Sequence, residues 1–320
     1  MSSAMPTPAP SHEGFIHEAL LYAGEHDFAA RTIPFLRDGV RNHEPTLVVV
    51  SDRKIDRLRQ ALGDDHARRV YFADMADVGA NPACIIPAWT DFVAQHGSGG
   101  RRLRGIGEPI WNGRSEAELL ECQRHEALLN VAFGEAPDFW LICPYDITSL
   151  DASVLAEAER SHPAIREGAI SHPSPTYAGL DAASAPFDAP LLPPTQVSAQ
   201  YEFVAESLST VRAIVMRQAA RAGLGVGRVA DVVQAVNEVA TNSLMFGGGH
   251  GTLRVWRDSQ ALVCEVADPG HLSQPLAGRQ RPDPTASGGG GLWLVNHLCD
   301  LVELRSYPSG VVVRLHMRLT

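Results

Sequence analysis

No apolar run in this chain approaches the ~20 residues that a membrane-spanning helix needs. Positive charge is also scarce: 37 acidic residues outweigh 27 basic ones, and the formal net charge is -10. That balance disfavours nonspecific binding to nucleic acid or to an anionic membrane, since both need basic surface. The opening MSSAMPTPAPS has neither a basic nor an apolar region, so residues 1–13 read as a loose tail and not as a signal peptide. Cysteine is sparse. Cys84, Cys122, Cys143, Cys264 and Cys299 are odd in number and scattered, the pattern of reduced thiols in a cytoplasmic protein. What the chain does have is apolar content, 45% hydrophobic against 20% charged residues, enough for sizeable cores. Its 320 residues suggest two domains.

From residue 14 to about 170 strand and helix patterns alternate. TLVVVS (46–51) is a β-branched run suited to a strand buried on both faces. Strand patterns also fall at 17–24, 69–74, 101–111 (a strand followed by a turn) and 138–146, with helical ones at 28–42, 53–62, 85–97 and 118–133 between them. Repeated β-α units predict a mostly parallel sheet with helices on both faces. The order looks like a RecA-type core, but the turn after the first strand, AGEHDFAART (23–32), lacks the glycine-rich Gly-Lys-Ser/Thr of a phosphate-binding loop. No ATP is expected there. His17 with LLY (20–22), FLRDGVRNHEPTLVVVS (35–51), GEPIW (107–111), CPYD (143–146) and SHP (161–163) together resemble the MEDS domain. This resemblance implies a sensory module related to degenerate RecA-like folds.

Tyr145 and Asp146 stand at the carboxyl end of a strand pattern, the edge where open α/β sheets hold ligands; a structural turn is the other reading. Cys122 and His125 are three apart on a helix pattern and could face one ion, but no second pair has ligand spacing, so ordinary core or surface histidines are the default. Residues 171–196, rich in Pro, Ala and Ser, read as a linker.

Residues 201–224 read as one long amphipathic helix. A second follows over 226–246, with Val226, Val229, Ala230, Val233, Val236, Ala240 and Leu244 as its apolar stripe. Glu238 and Asn242 are four apart, so they lie one turn above each other and can serve a water and a divalent metal together. Read alone, they are a solvated helix face. Further on, Asp268 ends a strand pattern beside Pro269 and Gly270, where a carboxylate can accept from an exocyclic amine such as that of adenine. Ser287 and the glycines 288–291 then open a helix, where free N–H groups and the helix dipole favour phosphate.

These three features in this order resemble the Bergerat, or GHKL, ATP-binding fold, and within it the anti-sigma-factor serine kinase branch. AVNEVATN (235–242) is similar to the branch's N-box and GGGLWLVNHLCDLVELRS (289–306) to its glycine box. The expected fold class is therefore α/β with two domains: an N-terminal RecA-like parallel α/β sheet with a degenerate P-loop at 14–170, and a C-terminal Bergerat-fold α/β sandwich at 197–320. The resemblance implies ATP and Mg2+ as cofactors, Asn242 as a ligand of Mg2+ and Glu238 as general base. It also implies Asp268 on the adenine amine, Gly270 in the turn beside the base, and Gly289, Gly290, Gly291 and Leu292 around the phosphates. Implied partners are an anti-anti-sigma (STAS-type) protein and a sigma factor, with a small-molecule ligand for the first domain.

Two departures stand out. Leu272 occupies the position of the second glycine of the first glycine box, and Gly310 is followed by Val311 and Val312 where relatives carry two threonines. Losing one hydroxyl bond to the base costs on the order of 1 kcal/mol. A nucleotide-dependent switch without catalysis is thus an alternative to a serine-protein kinase. A sensor histidine kinase is disfavoured, because 201–224 contains no histidine. The family also implies a homodimer through its first helix and strand; Tyr201, Phe203, Val204 and Val211 suit that face or a core equally.

Overall fold

The computed structural model of the chain describes residues 14–168, 170–180, 189–282 and 289–319. The tail 1–13, the middle of the linker, and Ser287 and Gly288 lie outside the described residues.

The N-terminal part runs β1 (Phe15–Tyr22), α1 (Gly24–Arg41), β2 (Thr46–Val50), α2 (Asp52–Leu62), α3 (Asp64–Ala67), β3 (Tyr71–Asp74), α4 (Met75–Val78), α5 (Ile85–His96), β4 (Leu103–Gly107), α6 (Glu116–Phe133), β5 (Phe139–Asp146), α7 (Ala152–Ser161), β6 (Ala164–Glu167) and β7 (Ile170–Pro173). The sheet order is β3-β2-β4-β5-β1-β6-β7, parallel except for the β6–β7 hairpin. Val48, Val49 and Val50 are buried because helices cover both faces of the sheet. The turn after β1 holds carboxylates, not a phosphate cradle. Asp27 accepts from the Ala23 N–H at 2.8 Å and Asp146 from the Gly24 N–H at 3.1 Å. The hairpin partner β7 occupies 170–173, so the stretch read as linker begins inside the sheet.

The C-terminal part runs β8 (Ala199–Val204), α8 (Leu208–Ala222), α9 (Val226–Phe246), β9 (His250–Arg257), β10 (Ala261–Asp268), α10 (Gly290–Leu298), β11 (Leu301–Tyr307) and β12 (Gly310–Arg318). Its sheet is antiparallel in the order β11-β12-β10-β9-β8. Val211, Val215, Val232, Val236 and Val239 of the helices pack on Leu253, Val255, Cys264, Val266, Leu315 and Met317 of the sheet. Each such side chain contributes ~1.5–3 kcal/mol by leaving water.

The expected helix over 201–224 is corrected here: its first residues form edge strand β8. Tyr201 and Phe203 alternate with exposed Glu202 and Val204, the period of a strand. Phe203 and Val211 lie in this domain's own core, so neither is free to make a dimer face. The stripe of α9 also shifts. Its buried face is Val232, Ala235, Val236, Val239, Ala240 and Ser243, while Val226 is 90% exposed. Valines and alanines crowd both candidate stripes, so period alone does not choose between them. Among the described residues no helix is long and apolar enough to cross a membrane.

Candidate functional site

Glu238 and Asn242, one turn apart on α9, meet the first turn of α10. A methyl group on Gly291 would lie 3.3 Å from both Glu238 Oε2 and Asn242 Nδ2, a tight contact that would make those two side-chain ends shift by a few tenths of an ångström. Gln234 Nε2 donates to Glu238 Oε1 at 2.7 Å and fixes the carboxylate, whose other oxygen faces Gly291. Gly289, at φ 86°, caps α10 in the left-handed region that glycine adopts without strain.

Asp268 ends β10 and is fixed from two sides. Its Oδ2 accepts from Ser243 Oγ at 2.6 Å and its Oδ1 from the Gly270 N–H at 2.8 Å. Gly247 lies so close to this carboxylate that no side chain fits there. Gly310, at φ 141°, is equally crowded by the Asp268 carbonyl. Ser243 and Gly247 are site residues that the sequence reading missed. Their signal is faint: a lone serine on the apolar face of α9, four residues after Val239 and four before Gly247.

Between these groups lies a cavity of about 450 Å³. Asn242, Gly289, Gly291 and Leu292 line it from the α9–α10 side, Asp268 and Gly270 from the β10 turn, and Val239, Val311 and Val313 supply apolar wall. Glu238 stands beside Gly291 and outside the lining, and Gly290 faces Pro282. Of the two valines after Gly310, Val311 lines the cavity and Val312 does not. The volume falls in the ~300–1,000 Å³ range of small-molecule sites. An apolar wall, a fixed carboxylate, a helix N-terminus and a carboxamide beside a carboxylate fit a purine nucleotide with a divalent ion.

One wall of the cavity, the loop carrying Ala277 and Gly278, is tied to the N-terminal part. Asn296 Nδ2 donates to the Gly278 carbonyl at 2.8 Å, and Asn81 Nδ2 donates to the Asn296 carbonyl at 2.8 Å. Arg279, next along the loop, donates to Glu121 Oε2 at 3.0 Å, while Arg305 of β11 donates to Glu121 Oε1 at 2.6 Å. All three side chains are buried. Burial lowers the Arg279 pKa to about 10, which leaves it charged at neutral pH.

A second cavity, about 430 Å³, opens at the carboxyl edge of the parallel sheet. Asp146 lines it, as do Trp111 and Lys54, whose ammonium bonds Glu108 at 2.5 Å. Burial raises the Glu108 pKa against the pull of Lys54. Tyr145 is instead buried, beside His162. Cys122 and His125 are buried separately; Cys122 Sγ points to the Pro109 carbonyl at 3.3 Å, and burial pushes its thiol up to about 12 and His125 down to about 3.

Residues 16–163 match the MEDS family, described as the MEthanogen/methylotroph, DcmR Sensory domain. Residues 202–317 match the histidine kinase-like ATPase domain family. No curated protein matches the chain. Among solved structures, the RsbU and RsbW domains of Rv1364c from Mycobacterium tuberculosis are similar at 17% identity, over 38% of this chain and 33% of that one, with a TM-score of 0.29. The chain thus spans about a third of that protein's chain, and the likeness is too slight to say more. The chain joins a MEDS sensory domain to a histidine kinase-like ATPase domain.

Proposed function

We propose that the C-terminal domain binds Mg-ATP and passes the γ-phosphoryl group to a serine of an anti-anti-sigma (STAS-type) partner, that it also binds a sigma factor, and that the N-terminal domain adjusts this activity on binding a small molecule. One observation carries the reading: Asn242, the glycine start of α10 and the fixed Asp268 carboxylate all border one cavity, with Glu238 beside Gly291 at its edge. Asp268 already accepts from Ser243 and Gly270, and it keeps lone pairs for the exocyclic amine of adenine. Val239, Val311 and Val313 give the ring an apolar surface. Free N–H groups at the start of α10 favour the phosphates. The Asn242 side-chain oxygen would hold Mg2+, which when bound neutralises phosphate charge.

Glu238 would take the proton of the serine hydroxyl. As it does so, the serine oxygen bonds to the γ-phosphorus, the bond from that phosphorus to the β-γ bridging oxygen breaks, and ADP leaves. Sensory control is supported by the Glu121, Arg279 and Asn81 contacts, because they hold a wall of the nucleotide cavity from the other domain.

Nucleotide titration by calorimetry tests the binding half. Wild type should bind ATP more tightly with Mg2+ than without. Asn242→Ala should lose ~10–100-fold in the presence of Mg2+, the value of one charge-assisted contact. Absent binding in both proteins sinks the reading. Asp268→Asn presents a donor where the amine needs an acceptor, and should weaken adenine nucleotides by ~10-fold or more. Unchanged affinity in that variant removes Asp268 from base recognition.

A further inference from the structure

Four buried side chains from four parts of the N-terminal domain aim their donor atoms at one point. His17 comes from β1, Cys143 from β5, Glu126 from α6 and His162 from the residue after α7, and none is more than 1% exposed. Their donor atoms all lie within 4.8 Å of one another. His17 Nε2 and His162 Nε2 are each 3.3 Å from Glu126 Oε2, and Cys143 Sγ is 3.4 Å from His17 Nε2. A tetrahedral ion with bonds of ~2.0–2.3 Å sets its ligand atoms about 3.3–3.8 Å apart. These three separations match that spacing.

The outer hydrogen bonds fix which way the rings are protonated. His162 Nδ1 lies 2.8 Å from the Ala158 carbonyl, which can only accept. Asn130 donates its amide N–H to the Ser161 carbonyl at 2.7 Å, so the Asn130 oxygen, 3.0 Å from His17 Nδ1, accepts as well. With an acceptor at each Nδ1, both rings carry a proton there and turn Nε2 inward. Outer N–H groups held by a carbonyl or carboxamide are the support that metal-binding histidines use. Inside, His162 Nε2 and Glu126 Oε1 are buried without a hydrogen-bond partner. Two ring nitrogens, a carboxylate and a thiol thus face one another in a buried pocket. Glu126 Oε2 faces both ring nitrogens while its Oε1 has no hydrogen-bond partner, and a cation among these groups offsets the cost of burying the carboxylate.

We infer that His17, Glu126, Cys143 and His162 form a closed site for a divalent transition metal, of which Zn2+ fits the donor set best. Two imidazoles, one thiolate and one carboxylate suit a borderline ion and not Mg2+ or Ca2+, which take oxygen ligands. Cys143 gives up its proton to solvent when the ion binds. With four protein ligands the site leaves no place for a reacting water, so its role is to tie α6 and α7 to β1 and β5.

The experiment uses the full chain, stripped with a chelator and titrated with Zn2+ and Co2+. The site should take one ion per chain, with a dissociation constant below ~1 μM. Co2+ should give tetrahedral d–d bands and a thiolate-to-metal charge-transfer band. Cys143→Ser should lose that band and weaken Zn2+ by at least ~10-fold, while Cys122→Ser should keep both. If Cys143→Ser does not fold, Glu126→Gln with the band retained and affinity reduced serves in its place. Folded wild-type protein that takes up neither ion overturns the site and leaves a proton-sharing imidazole–carboxylate cluster. A charge-transfer band that persists in Cys143→Ser overturns it too.

Discussion

Glu238→Ala should lower phosphoryl transfer to a serine-bearing anti-anti-sigma partner by ~10²–10⁴-fold, the usual contribution of a positioned general base. ATP affinity should stay within a few-fold of wild type, because Glu238 stands beside Gly291 and does not line the cavity. The variant should also fold. Glu238 is half-buried on a helix, its hydrogen bond is to exposed Gln234, and alanine is a strong helix former, so the stability change stays near ~0.5 kcal/mol. Transfer of radiolabelled phosphate, measured beside nucleotide binding, separates the outcomes. Lost transfer with intact binding supports the base. Wild type that binds ATP and phosphorylates no serine partner supports the switch without catalysis, in keeping with Val311 at the cavity wall. An acid-labile autophosphorylated product would favour a histidine kinase, against the absence of histidine from α8.

Most of the lining of the cavity between α9, α10 and the end of β10 falls in short, ordered sequence motifs. Glu238 and Asn242 share a helix turn, and the glycines of 289–291 adjoin the helix they open. What escaped was whatever depends on the third dimension. Ser243 looks like a polar interruption of an apolar stripe until Asp268 arrives from a different strand. The strand at 199–204 was hidden because its alternation runs directly into a helical pattern. Ligand spacing in the sequence singles out Cys122 and His125, but Cys122 Sγ points to the Pro109 carbonyl and His125 Nδ1 has no hydrogen-bond partner. The cluster that does converge draws single residues from positions 17, 126, 143 and 162, and no local spacing can reveal it. The same holds for Glu121, a charged residue on a helix, whose partners lie 158 and 184 residues away.

Glu121→Ala should therefore be the most damaging of the substitutions at the boundary between the domains. The side chain is 1% exposed and bridges Arg279 and Arg305, themselves 5% and 2% exposed. Removing the carboxylate strands two guanidinium groups in a buried place, and breaking such a pair costs ~3–5 kcal/mol. Glu121→Gln keeps the shape but not the charge and should fall between the variant and wild type. Asp91→Ala provides the contrast. Its partner Arg281 is exposed, and the change should cost ~1 kcal/mol or less. The domains have separate cores, so the loss should appear first as undocking. Amide hydrogen exchange should rise in the loop 269–282 and in α6 before the cores of either sheet respond. The loop lines the cavity proposed to hold ATP, so ATP affinity should move with it, while Asp91→Ala leaves affinity unchanged. Thermal unfolding and exchange that match wild type would mean the two domains do not depend on Glu121. Undocking without any change in ATP affinity would separate the domain contact from the nucleotide site and remove the route by which the sensory domain is proposed to act.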